Sequence, residues 1–169
     1  LMYHRIAEDG SIDLAPYRVS PATFERQLAY LQRHGYHSIG LDEFYAVWFE
    51  KNTRALPGRT VILTFDDGYL DFYEIAWPLL KKYGFKATVF IPTSHVGGHA
   101  DWDNNYGTPA KLMGWQHIME LHENGIQFGS HGCDHKRLTE MSGAEARDDA
   151  VASKAILEKK LGLQISGYC

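Results

Sequence analysis

The chain has 169 residues, 44% of them hydrophobic and 13% aromatic, with a formal net charge of -4 at pH 7. That length suits one domain able to bury roughly 70% of its unfolded surface, and the apolar content with charges mixed in sign excludes a disordered or low-complexity chain. Lys and Arg are nowhere clustered enough to neutralise a row of phosphates or a lipid surface, which argues against nucleic acid as a partner.

In chain order, Leu1 to Arg5 reads as a strand, followed by a polar loop. Ser20-Pro21 supplies an N-cap with proline at the first helical position, and Phe24, Leu28 and Leu31 recur at helical spacing until Gly35. A brief strand over 37–40 and a helix over 42–50 follow. Thr60 to Phe65 (TVILTF) is β-branched and almost wholly apolar, which predicts a strand covered on both faces, as in a parallel sheet. Residues 71–83 read as a helix that Pro78 should kink, and Lys86 to Ile91 as the next strand. A long connection rich in Gly, Asn and Pro runs from Pro92 to Gly114 before a helix over 115–123. Connections of that length are commonly functional. Ile126 to Ser130 predicts a strand, and Gln164 to Cys169 begins another. Between them Ser142 to Leu161 predicts an amphipathic helix burying Ala146, Ala150, Ser153, Ile156, Leu157 and Leu161.

About six strands separated by helices imply parallel neighbours joined by right-handed crossovers, hence an open doubly wound α/β sheet or a (β/α) barrel. The last strand stops in mid-run, so a barrel would need further strands. No apolar run approaches the ~20 residues that span a bilayer, and no signal-peptide series is present. The chain opens on an apolar stretch at Leu1 rather than on Met, so residues are expected upstream. Cys133 and Cys169 form no CxxC pair and leave the redox compartment open.

In parallel α/β folds reactive groups gather where strands end and loops begin. Two such places stand out: Asp66-Asp67-Gly68-Tyr69 after TVILTF, and His131-Gly132-Cys133-Asp134-His135 after IQFGS. Imidazoles four residues apart reach a common point when the chain makes one helical turn. A carboxylate from another strand end would complete two His and one Asp, leaving coordination positions for water and substrate. Adjacent residues leaving a strand face opposite ways, so Asp66 and Asp67 naturally divide into one ligand and one base. Either motif alone is weak, since Asp-Asp-Gly is more often a plain turn; two of them at strand ends of one fold point to a metal site.

Ser94-His95-Val96-Gly97-Gly98-His99 repeats the histidine spacing, but Gly97-Gly98 disfavours a helical turn by about 1 kcal/mol per glycine and Pro92-Thr93 displaces it from the strand end. A loop beside the pocket is the expected role. His4, His34, His37, His117 and His122 have no partner at ligand spacing and read as surface or core histidines, His4 standing apart because it falls at a strand end.

These residues resemble the motifs of the NodB-type polysaccharide deacetylases, carbohydrate esterase family 4. T-F-D-D-G-Y at 64–69 is similar to the family's first motif and S-H-G-C-D-H at 130–135 to its second. L-M-Y-H-R-I at the start, the stretch around 78–91 and W-x-x-I-x-x-L-x-x-x-G before the second motif extend the resemblance over essentially the whole chain.

The resemblance implies a distorted (β/α) barrel, with Asp67, His131 and His135 binding one divalent metal and Asp66 as catalytic base. Zinc is the usual ion, with Co2+, Ni2+, Mn2+ or Fe2+ as alternatives. The metal would polarise an N-acetyl carbonyl and acidify its water, and Asp66 would take a proton as water attacks, giving a tetrahedral oxyanion that collapses to amine and acetate. The implied substrate is an N-acetylglucosamine polymer such as an exopolysaccharide, peptidoglycan or chitin, and the implied location extracytoplasmic. Tyr69, Trp102 and Asp103 are the expected sugar contacts, with Asn104, Asn105 and Tyr106 of the same loop beside them.

The family's Arg-Pro-Tyr-like and Leu-x-His motifs are absent, because Ile165-Ser166-Gly167-Tyr168-Cys169 stops where the third should begin. The expectation is therefore one deacetylase domain over 1–169, cut before its last strands, that binds metal but hydrolyses poorly by itself. The competing readings keep the metal site but act on a cyclic amide or acetyl-xylan, or keep the fold as a non-catalytic carbohydrate binder. Retention of Asp66 argues against the last, since a binder needs no unliganded base.

Overall fold

The computed structural model describes residues 1–49 and 56–169. Its centre is a four-stranded parallel sheet in the order β1 (Met2–Tyr3), β6 (Thr64–Phe65), β7 (Thr88–Ile91), β8 (Gln127–Ser130). Tyr3 is in register with Phe65, Phe65 with Val89, and Ile91 with Ser130. A parallel bridge from Ser130 to Tyr168 continues the arc past β8. Two further parallel pairs join β2 (Arg5–Ile6) to β3 (Arg18–Val19) and β4 (His37–Ser38) to β5 (Thr60–Val61). Among the described residues five α-helices connect them: α1 (Pro21–Arg33), α2 (Leu41–Trp48), α3 (Trp77–Tyr83), α4 (Trp115–Glu123) and α5 (Gly143–Leu161). Three separate parallel pairings instead of one continuous sheet, with the arc extended past β8, make this the distorted (β/α) barrel type rather than a flat doubly wound sheet.

The core lies between the central sheet and α1, α3, α4 and α5, with Ile6, Phe24, Leu28, Leu63, Phe65, Phe72, Leu80, Ile91, Ile118, Leu121 and Leu157 all but inaccessible. Tyr3 stacks on Phe65 at 5.1 Å, and Phe24 and Phe72 meet Phe65 edge-on at 5.8 and 4.7 Å. Aromatic pairs of this geometry add about 0.5–1.5 kcal/mol each beyond area burial. They fix the strand that ends at Asp66.

The helices follow the sequence closely. Ser20 caps α1 by accepting from Thr23 N–H at 3.2 Å. Ser142 and Glu145 form a reciprocal capping box on α5, at 2.8 and 3.3 Å.

The strands are more broken than expected, because pairing partners change along them. The run 60–65 is two strands: β5 pairs with β4, and after Ile62-Leu63 the chain turns into the central sheet as β6. Thr60, Val61 and Ile62 are consequently only half-buried. The first run likewise splits at His4, β1 pairing with β6 and β2 with β3, a strand within the expected polar loop. The strands near 37–40 and 86–91 shorten to β4 and β7, and 164–169 contributes only its bridge.

Pro78 does not kink a continuous α-helix. Residues 70–83 are helical throughout, with a π-helical turn at Phe72–Ala76 running directly into α3, so the irregularity falls just ahead of Pro78, the second residue of α3. α2 ends at Trp48, and Glu50, its expected last residue, lies outside the described residues. On α5 Ser153 and Leu157 are buried, Ala146, Ala150 and Leu161 half-buried, and Ile156 is exposed, since α5 packs over a narrower stripe than its apolar residues span.

Candidate metal centre

Asp66 and His131 each follow directly on a central strand, β6 and β8, at the carboxyl edge of the sheet. Asp66 N–H donates to Tyr3 O at 2.9 Å and His131 N–H to Ile91 O at 3.0 Å, so ladder bonds set both residues at their posts. Beyond them each chain turns sharply. Asp67 has φ +73° and Gly68 +70°; Gly132 has φ +72° and His135 +54°. Left-handed backbone in a non-glycine residue is uncommon and costs about 1–2 kcal/mol. Both Asp67 and His135 carry that cost, and it swings their side chains back over the strand ends.

The result is a compact group. Asp67 Oδ1 lies 3.1 Å from His131 Nε2 and 2.9 Å from His135 Nε2. One ligand atom from each of the three residues falls within 4.8 Å of the others, and among the described residues it is the one such group of His, Cys, Asp or Glu. Despite those short separations Asp67 Oδ1 is buried without a hydrogen bond of acceptable geometry. The oxygen set between the two imidazoles is thus a buried polar atom left free for a further partner. That donor set fits a divalent cation with open coordination positions. His131 Nδ1 lies 2.8 Å from Cys169 O, the arrangement in which Nδ1–H donates outward and Nε2 keeps its lone pair for the centre.

The two carboxyls respond oppositely to burial. Burial pushes Asp66 up from the ordinary carboxylate range, with His4 and His131 only partly opposing it. Burial would raise Asp67 too, but the close approach and charge of His131 and His135 outweigh it and hold the group well below that range. Burial disfavours the His131 imidazolium, and Asp67 more than compensates, leaving its proton affinity raised.

Loops on both sides brace the second motif. Cys133 N–H donates to Asp149 Oδ1 at 3.0 Å, and Gly132 N–H to Ser130 Oγ at 3.2 Å, itself 2.5 Å from Ser153 Oγ on α5. From the other side Thr93 N–H donates to Gly132 O and Ser94 N–H to Cys133 O, both at 3.0 Å. The connection 92–114 is ordered, with 3-10 turns at Thr93–His95 and Asp101–Tyr106 and antiparallel bridges from His99 to Lys111 and from Tyr69 to Leu112.

Of the expected sugar contacts, Tyr69 is buried and its hydroxyl donates to Asp103 Oδ2 at 3.0 Å, while Trp102 lies half-buried over His135. His95 meets Trp102 edge-on at 5.1 Å and stays outside the metal-compatible group. His34 bonds Tyr30 O and His117 caps α4 through Gly114 N–H. His4 is different: its Nε2 is 3.9 Å from Asp66 Oδ2, and its ring rests edge-on against Tyr17. It shares no local spacing with Asp66, and its position at a strand end was the one signal available. Asp149 and the Cys169 carbonyl had no signal beyond a polar residue one turn before Ser153 and the end of a strand-like run.

Comparison with known proteins agrees with the motifs. The polysaccharide deacetylase family profile matches residues 53–169, and the chain belongs to that family. It is 30% identical over 158 residues to the putative polysaccharide deacetylase YxkH of Bacillus subtilis, covering 94% of this chain and 50% of that protein. It is also 30% identical over 173 residues to poly-beta-1,6-N-acetyl-D-glucosamine N-deacetylase of Staphylococcus aureus, covering 95% of this chain and 56% of that protein. The chain thus spans about half the length of these relatives. Among solved structures, the Streptococcus pyogenes deacetylase PplD in complex with acetate superposes with a TM-score of 0.81 at 29% identity, covering 99% of this chain and 70% of that one. IcaB from Ammonifex degensii gives 0.81 at 25% identity, over 99% and 70% of the two chains.

Proposed function

We propose that this chain is the metal-binding part of a hydrolase that removes N-acetyl groups from an N-acetylglucosamine polysaccharide outside the cytoplasm. The observation that carries the reading is the convergence of Asp67, His131 and His135 beside a buried, unliganded Asp66. Two imidazoles and a carboxylate suit zinc, as they also suit Co2+, Ni2+ and Fe2+. When bound, such an ion supplies Lewis acidity that polarises the acetamide carbonyl and acidifies water.

The chain's own residues divide the remaining work. Asp66 Oδ1 is buried without a partner, and burial raises its proton affinity, as a general base at neutral pH requires. It takes the proton from the attacking water. The same carboxyl can return that proton to the leaving nitrogen, and His4 lies beside it on the neighbouring strand end, its Nε2 3.9 Å from Asp66 Oδ2. Trp102 and Asp103 at the rim are the proposed sugar contacts, with Tyr69 beneath them as support.

A β-1,6-linked N-acetylglucosamine polymer is the preferred substrate because a relative 30% identical to this chain is named for it. The test uses the full-length protein loaded with zinc. Free amine and acetate should appear together from poly-β-1,6-N-acetylglucosamine or chito-oligosaccharides; acetate from acetylated xylan without amine release from either glucosamine polymer would overturn the reading.

A further inference from the structure

Histidines that ligate metals ordinarily have the outer ring nitrogen tied to a carbonyl, carboxylate or water, and that tie orients the ring. His131 conforms through Cys169 O. Among the described residues no hydrogen bond reaches His135 Nδ1. What defines the ring plane is Trp102, whose indole lies nearly parallel to the imidazole, 26° apart with centroids at 4.1 Å.

Trp102 is itself gripped. His95 abuts it edge-on at 5.1 Å. The next residue, Asp103, accepts from Tyr69 OH at 3.0 Å, and Tyr69 lies two residues beyond Asp67. Met113 N–H to Gly68 O and Leu70 N–H to Lys111 O, both at 2.9 Å, zip the same connection to the Asp67 loop. The third strand-end loop therefore touches both ligand-bearing loops at once.

We propose that Trp102 is a positioning residue for the metal centre: it holds the His135 imidazole by stacking, where no described residue ties its outer nitrogen, and the Asp103–Tyr69 bond anchors the turn that carries it. This inference rests on the metal-site reading. Flat contact restrains ring tilt while leaving in-plane rotation free, so the variant that keeps an aromatic face should keep the site.

The test is zinc and cobalt titration of the full-length protein by calorimetry, with the cobalt absorption spectrum as a second readout. Trp102→Ala should weaken metal binding by about 10-fold or more, the loss expected for removal of an outer-shell partner, and alter the cobalt bands. Trp102→Phe should restore both to near wild type. Trp102→Leu, apolar but without a ring face, should behave as alanine does, and it decides the matter if the alanine variant does not fold. Wild-type affinity in the alanine or leucine variant, or a phenylalanine variant as weak as leucine, overturns the positioning role alone. A wild-type protein that takes up neither ion overturns this inference together with the metal-site reading.

Discussion

Asp66 and Asp67 are consecutive, each only 4% exposed, yet their proton affinities are driven apart: burial raises the first, and two imidazoles hold the second well down. The divergence follows from the backbone. Asp66 still belongs to the strand's ladder through Tyr3 O, while Asp67 at φ +73° has left it and turns to His131 and His135. In the proposed mechanism one carboxyl is thereby kept ionised as a ligand, and the other kept basic enough to take a proton.

Asp66→Asn separates these roles. The amide keeps the shape but cannot accept a proton, so acetate release should fall by about 10²–10⁴-fold, the range for loss of a general base. Zinc affinity measured by calorimetry should stay close to wild type, because no ligand has changed. Asp67→Asn should instead lose metal and activity together.

Much of this arrangement was legible in the sequence because it is local. Ser20-Pro21, the Ser142 and Glu145 box, and apolar spacing at Phe24, Leu28 and Leu31 report on the few residues around them, and helices obey such signals. The two loops that bring Asp67, His131 and His135 together were legible for a similar reason: each is a short polar motif directly after an apolar run. What escaped was set by partners distant in sequence. The breaks at His4 and at 62–63 occur where the chain changes neighbours in the sheet, and nothing within TVILTF announces that β5 faces β4 while β6 faces β1. The approach of His4 to Asp66, the Cys169 carbonyl on His131 and the Trp102 stack on His135 are contacts between separate strand ends or their loops. Their residue types alone could not pair them.

Gly132 sits between the two histidines at φ +72°, and a Cβ there would fall 2.5 Å from Asp149 Oδ2. Gly132→Ala therefore meets two penalties at one position: left-handed backbone, and displacement of the carboxylate that accepts from Cys133 N–H at 3.0 and 3.2 Å. Urea denaturation should show a loss of about 1–3 kcal/mol. Metal affinity should fall as well, since the same loop carries His131 and His135. Gly143→Ala, at a helix position with open space around it, should cost nothing comparable.

Asp71 gives a pH dependence independent of the metal centre. Its Oδ2 accepts from Arg5 Nε at 2.8 Å and its Oδ1 from Ile6 N–H at 3.1 Å, fastening β2 to the start of the π-helical turn. Burial nevertheless raises its pKa, with Arg5 and Ile6 only partly opposing it. A carboxyl whose folded value exceeds the unfolded one, about 3.9, binds its proton more tightly in the folded state, so its contribution to stability is greatest below the unfolded value and declines as pH rises through the folded one. Asp71→Asn removes that titration. Wild type should therefore gain on the asparagine variant as pH falls from 7 to 4 in urea unfolding, and a difference that instead widens in the variant's favour toward pH 4 would contradict the assignment. Asp71→Ala should cost about 2–4 kcal/mol at pH 7, because it leaves the Arg5 guanidinium and the buried Ile6 N–H without their acceptor.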